Sequence, residues 1–286
     1  MSDDDLQQQF DAEVNKVIDQ IDTTERQAVQ RALDLLNELR AEIRLRLADA
    51  GQSFTSSVYK QVERSIENDI NSFEQQLQGQ LTSDLNKMAT LGEALIDNPS
   101  IIITGPSLSV SGANVAQIAA SYVPGLIKGL GNSANQAIAT ILRKAVLGVS
   151  SIEEAIQEVG KNLKDPGPFK GLGARAETIV RTEGLRVQSM AADQRMKANE
   201  PLIKRFGWSM MQAWLTADDF RVRPAHAAVN GWEVEVGKPF LVGGEELRYP
   251  RDPKGSAGNT INCRCVARPV VKRMTAQQSW HLPLAA

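Results

Sequence analysis

Apolar residues recur every three or four positions through most of the first ninety residues. Leu6, Phe10, Val14, Ile18 and Ile21 form one such stripe, and Val29, Leu33, Leu36, Leu39, Ile43 and Leu47 form the next. This is the period of a helix with one buried face. Between them Asp22-Thr23-Thr24-Glu25 reads as an interruption, with Thr24 as N-cap of the second helix. Gly51 to Ser53 is a further break. A third stripe runs Phe54, Val58, Val62, Ile66, Ile70, Phe73, Leu77, Leu81, Leu85, Met88. Its nine steps cross 34 positions, about 3.8 each, longer than the ~3.5 of a left-handed coiled-coil seam. Packed long helices, or a helix lying along a partner, fit that spacing better.

Residues 96–112 break the pattern with Asn98-Pro99, Gly105-Pro106 and a Ser/Gly run to Gly112, and Ile101 to Ile103 reads as a short strand or docking segment. Helices are predicted again over 113–123, 133–146 and 151–159. Gly125, Gly129, Gly131 and Ala134 mark a tight corner, and Ser151 with Glu154 forms a capping box. Asp165-Pro-Gly-Pro168, Gly171 and Gly173 read as a linker. A helix over 174–197 follows, then an alternating strand at Trp232–Val236 after an Asn230-Gly231 turn. A hairpin turns on Gly243-Gly244, a polar loop runs over 250–260, and a last strand covers 261–271. The predicted fold is mainly α with a C-terminal α+β module: long N-terminal helices, a helical middle, then one long helix packed on a small antiparallel sheet. The corresponding regions are 1–95, 96–165, 166–273 and a tail over 274–286.

Composition changes this picture in three ways. No apolar run approaches the ~20 residues needed to span a bilayer, and the acidic Met-Ser-Asp-Asp-Asp start lacks a secretory signal, so synthesis and folding in a cytoplasm are expected. The net charge of −2 conceals a division: residues 1–160 hold 12 Lys+Arg against 22 Asp+Glu (−10), and residues 161–286 hold 20 against 12 (+8). Either the two parts face different partners or they attract each other. Finally, Cys263 and Cys265 are the only cysteines, and a bridge across one residue is geometrically poor, so reduced thiols are expected.

Candidate chemistry concentrates in the last third. Glu183 falls inside the apolar stripe of its helix (Ala176, Ile179, Val180, Val187, Met190, Ala191), so its carboxylate needs a partner, with Arg223 or Arg264 as candidates. It is either a general acid/base or half of a buried ion pair. The stretch Trp214–His226 gathers two acids, two arginines and one of two histidines. His226 is a candidate base, metal ligand or structural residue. If Cys263 and Cys265 sit on a strand, their side chains face one way. With His226 they supply three zinc ligands, and Asp219 is a candidate fourth. Against this, zinc knuckles usually separate their cysteines by two or more residues, and two small packed residues explain the pair equally well. No zinc or other cofactor is therefore predicted outright. No Walker A loop, Rossmann fingerprint, nucleophile elbow or HExxH is present. Non-specific contact of the basic half with nucleic-acid phosphates remains open.

Taken in order, Ala176-Glu-Thr-Ile-Val-Arg-Thr-Glu183, Trp214, Asp219-Phe-Arg-Val-Arg-Pro-Ala-His226, Asn230-Gly231, Phe240, Tyr249-Pro250 and Ile261-Asn-Cys-Arg-Cys265 resemble the phage Mu F-like minor head protein domain over about 174–271. The helices over 113–160 look like the region that often precedes it. The shared positions are Arg181, Thr182, Glu183, Trp214, Asp219, Arg221, Arg223, His226, Asn262, Cys263, Arg264 and Cys265. No catalytic role comes with them; Glu183 and His226 are the two positions where one would sit. The resemblance implies a bacteriophage minor head protein at the portal vertex of the virion, acting in head morphogenesis, DNA packaging or DNA ejection. Its implied partners are the portal protein, other head proteins and packaged DNA. The module also looks similar to ADP-ribosyltransferase-type folds, without that family's triad, so an enzymatic module carried in the virion is the alternative. Some relatives append a toxin domain; with only Met274–Ala286 following here, none is expected.

Overall fold

The computed structural model describes residues 2–51, 55–105 and 115–275. The predicted breaks at 52–53 and 106–112, the start of the third stripe at Phe54 and most of the 274–286 tail lie outside the described residues. Four long helices dominate: α1 (Asp3–Asp49), α2 (Ser56–Thr104), α3 (Val115–Val146) and α5 (Pro168–Arg205), with a short α4 (Ile152–Val159). Beyond them come β1 (Trp208–Leu215), α6 (Pro224–Ala227), β2 (Glu233–Glu235), β3 (Phe240–Val242), β4 (Glu245–Leu247), α7 (Ala257–Thr260) and β5 (Val266–Arg273). The sheet is antiparallel with order β2-β1-β5, and β3-β4 form a separate hairpin. The architecture is the predicted one, mainly helical with a small antiparallel C-terminal sheet against one long helix.

The helices are longer and fewer than the sequence predicts. Asp22–Glu25 does not interrupt α1, because Ile21, Ala28, Val29, Ala32 and Leu36 keep one buried stripe running through it. Asn98-Pro99 does not end α2: the missing N–H of Pro99 costs one ladder bond, while Leu95, Ile96 and the half-buried Ile103 keep the last turns packed. Ile101–Ile103 are therefore helical rather than a strand. The predicted corner in α3 is helix throughout, with Pro124 inside it. Of its small residues, Gly131 lies against the Glu74 carboxylate, which a Cβ would run into, whereas Gly125 faces open space. The linker glycines Gly171 and Gly173 likewise fall within α5. The capping box is present as predicted: Ser151 Oγ accepts from Glu154 N–H and Glu154 accepts from Ser151 N–H.

Backbone contacts group the chain into two units, each discontinuous in sequence. One comprises 26–84 and 120–181; the other comprises 1–25, 85–119 and 182–286. Among the described residues, the regular elements of the first are all helices. Its core holds Leu36, Leu39, Ile43, Val62, Ile66, Ile70, Phe73, Leu130, Ile138 and Ile141. Arg40 and Arg44 both donate to the carbonyl of Gly160, each at 2.7 Å, which satisfies the end of α4.

The second unit carries the sheet. Phe10, Val14, Val17 and Ile21 of α1, Met88, Leu95 and Ile96 of α2, and Leu185, Ala192, Met196 and Ile203 of α5 share one core with Trp208 and Met210 of β1 and Val266, Ala267 and Val271 of β5. Strand β1 is central and pairs along its full length with β5 (Trp208 opposite Arg273, Leu215 opposite Val266). Pro269 sits in β5, where an edge strand tolerates the lost donor. Ion pairs join the acidic N-terminal helices to the basic C-terminal part within this unit: Asp11–Arg268 at 2.7 Å, Asp97–Arg195 at 2.6 Å and Asp3–Arg273 at 3.3 Å.

Candidate functional site

A second, smaller core lies between the hairpin and the loops around the sheet: Trp214, Val229, Phe240, Val242, Leu247, Cys263 and Cys265. Trp214, the last residue but one of β1, is fully buried, and the rings of His226 and Phe240 stand edge-to-face with its own, each at 5.4 Å between centroids. Two short loops converge here. The first leaves β1, passes Asp219 and forms α6, which presents His226. It returns through the Asn230-Gly231 turn, where Gly231 adopts φ +78° and Asn230 accepts from the Thr216 N–H at 3.0 Å. The second runs from Tyr249 through α7 to Cys265. Cys263 and Cys265 precede β5 rather than lying on it, so the strand argument for their shared direction does not apply. A turn at Asn262 (φ +56°) sets it instead, and its N–H donates to Thr182 Oγ1 at 3.1 Å.

His226, Cys263 and Cys265 do come together. Nδ1 of His226 lies 3.6 Å from the Cys263 sulfur and 3.4 Å from the Cys265 sulfur. The three ligand atoms lie within 4.8 Å of one another, and all three side chains are buried. On the far side of the ring, Nε2 meets Asn259 Oδ1 at 3.3 Å, while Asn259 Nδ2 donates to the Val242 carbonyl at 3.3 Å. That second bond fixes the amide orientation, so Oδ1 faces the ring and takes the Nε2–H. The Nδ1 lone pair is left aimed at the two sulfurs. The hydrogen bond from Cys265, then those of His226 and the charge of Arg251, hold the Cys263 thiol well below its ordinary range, and Cys265 is pushed up as the proton-bearing member. Both sulfurs belong to almost wholly buried side chains.

Arg251 organises the cluster. It is fully buried, in a left-handed conformation (φ +67°), and donates from Nη1 to the carbonyls of Cys263 (2.9 Å) and Cys265 (2.7 Å) and from Nη2 to Ser189 Oγ (2.5 Å). No carboxylate pairs with it among the described residues. Neither Arg251 nor Asn259 is predicted as a site residue, since charged and amide residues in a polar loop default to the surface. The prolines flanking Arg251-Asp252 are the one local sign of an unusual backbone.

The remaining motif residues are used internally. Both carboxylate oxygens of Glu183 accept from Arg186 at 2.8 Å, one turn along α5, a partner other than the Arg223 or Arg264 that the sequence offers as candidates. Arg223 donates to the Ile261 carbonyl at 2.5 Å and Arg181 pairs with Glu177 at 2.8 Å. Asp219 receives a two-pronged bond from Arg264 (2.6 and 2.7 Å) and a further one from Arg221, which together hold its carboxyl well below the usual range. Committed to these arginines, Asp219 does not join the His–Cys cluster and is not its fourth ligand.

The family model described as "Phage Mu protein F like protein" matches residues 118–268, which takes in most of α3, α4, α5 and the module up to β5. A Bacillus subtilis protein named "Uncharacterized protein YqbB" is 31% identical over 139 residues, 48% of this chain and 42% of that one. "NAD(+)--arginine ADP-ribosyltransferase EFV" of Enterococcus faecalis is 32% identical over 97 residues, 34% of this chain and 19% of that protein. The matches thus span less than half the length of either relative. No solved structure gives a significant match. With the family model covering more than half of its length, this chain belongs to the Phage Mu protein F-like family.

Proposed function

We propose that the chain is a minor head protein of a bacteriophage or prophage particle, held at the portal vertex of the virion and acting in head morphogenesis, DNA packaging or DNA ejection. The observation that carries this reading is where the family's polar residues go. Asp219–Arg264, Thr182–Asn262, Glu183–Arg186 and the Arg251 clamp tie loops to helices inside the module. A catalytic set instead converges on space a substrate can enter. The product is made in the host cytoplasm and incorporated into the head, with the portal protein and other head proteins as partners. Packaged DNA is contacted non-specifically through Lys and Arg. Deleting the gene tests this: particles should form with altered DNA content or fail to eject. Unchanged infectivity and ejection would contradict it.

The similarity to the Enterococcus protein supports a second reading, an ADP-ribosyltransferase-like activity. Label transfer from NAD to an arginine-containing acceptor, with Glu183→Gln as control, checks it. Transfer that disappears in the variant would favour it over the structural reading. Against it stands the burial of Glu183, 5% exposed and committed to Arg186.

A further inference from the structure

We infer that His226, Cys263 and Cys265 form a binding site for a soft divalent metal ion, zinc, that staples the two loops of the module together. Zinc bonds of ~2.3 Å to sulfur and ~2.0–2.1 Å to nitrogen at the tetrahedral angle put sulfur and nitrogen about 3.5–3.6 Å apart. The two observed separations, 3.6 and 3.4 Å, bracket that edge length.

A hydrogen-bonded thiol gives similar distances, so the number of claims on the nitrogen decides. Nε2–H is committed to Asn259, whose own orientation is fixed by Val242. Nδ1 then has one lone pair, which accepts one S–H bond well, yet two sulfurs approach it. One cation shared among all three atoms satisfies them together. The surroundings have the form of a metal site's outer shell. A ligating histidine gives its other ring N–H to an oxygen, as here to Asn259. The Arg251 guanidinium holds the carbonyls of both cysteines and sits 3.9 Å from the Cys263 sulfur, favouring the thiolates a metal requires. The Trp214 indole N–H is buried beside the cluster without a hydrogen-bond partner.

Among the described residues no further His, Cys, Asp or Glu joins the cluster, which leaves one tetrahedral position for a small donor such as water. With exposures of 1% (His226), 1% (Cys263) and 3% (Cys265), the ion would act on stability rather than on substrate. Soft thiolate ligands select zinc over magnesium or calcium.

The test uses the full chain, expressed in zinc-supplemented medium and purified under reducing conditions without chelator. Elemental analysis should find about one zinc per chain. Cobalt exchange should produce thiolate-to-cobalt charge-transfer absorption, and thiol titration in denaturant should count both cysteines reduced. Cys263→Ser and Cys265→Ser should each abolish the metal. Because either variant could misfold, Asn259→Ala supplies the second measurement: it keeps all three ligands and should weaken zinc affinity about 10–100-fold in chelator competition. Wild-type protein with both thiols reduced, no zinc above the blank and no cobalt absorption would overturn the inference. So would a Cys263–Cys265 disulfide, or an Asn259→Ala affinity equal to the parent's.

Discussion

Arg251 places a permanent positive charge where its side chain is wholly out of water, and the oxygens it donates to are two carbonyls and a hydroxyl. Arg251→Met fills much the same volume but strands those acceptors, so the expected cost is at least about 3 kcal/mol by urea unfolding. A variant as stable as the parent would remove the clamp from the account. Its neighbour Asp252 gives a pH dependence. Burial alone would raise this carboxyl, but the Arg248 side chain and the N–H groups of Arg248 and Lys254 outweigh that and hold it below the usual range. A depressed folded pKa stabilises above the unfolded value of about 3.9 and loses that contribution as pH falls through the folded one. Stability should therefore decline below about pH 4, and Asp252→Asn should flatten the decline while lowering stability at neutral pH by about 2 kcal/mol. Glu183 was legible as a buried carboxylate from helical periodicity alone. Its partner was not, because Arg186 at i+3 lies off the apolar stripe and only the packed structure shows that its guanidinium folds back.

Among the elements, two glycines make opposite predictions. A Cβ on Gly92 of α2 would strike the Gln188 carbonyl oxygen and the Ala191 methyl of α5. Backbone cannot yield cheaply, so Gly92→Ala should cost about 1–3 kcal/mol despite the gain in helix propensity. At Gly131 the obstacle is the flexible tip of Glu74, so Gly131→Ala should change thermal stability by less than about 1 kcal/mol either way. Equal effects at the two sites would undo the argument that α2 and α5 meet backbone to backbone. The hairpin at Gly243-Gly244 was readable because both residues take positive φ (57° and 84°), as a two-residue turn requires. Strand β1 was not. Its burial alternates over Trp208–Met211, but the half-buried Met211 is apolar and the buried Gln212 is polar, so the residue types do not trace the alternation that marks a strand. Helix ends failed for the converse reason: Thr23-Thr24 and Asn98-Pro99 are local stop signals, and packing of the buried stripe on either side overrides them.

At the scale of the molecule, the charge division resolves partly inward. Asp11, Asp97 and Asp3 meet Arg268, Arg195 and Arg273 within the unit that carries the sheet, so some of the acidic N-terminal charge serves the fold. The same unit holds the His226–Cys263–Cys265 cluster, and the helices of α1 and α2 complete its core. A truncation beginning at residue 166 would leave Trp208, Met210 and Val271 without Phe10, Val14, Met88 and Leu95. Such a fragment should expose that apolar face and aggregate or bind a hydrophobic dye; a monodisperse, cooperatively folding fragment would contradict this. Membership of the Mu F-like family and the inward use of its motif residues both support the proposal of a structural component of the virion head. Cross-linking mass spectrometry on purified, DNA-filled particles tests that claim most directly. The account predicts this chain in the particles at low copy number, with cross-links to portal subunits; its absence from purified particles would contradict it.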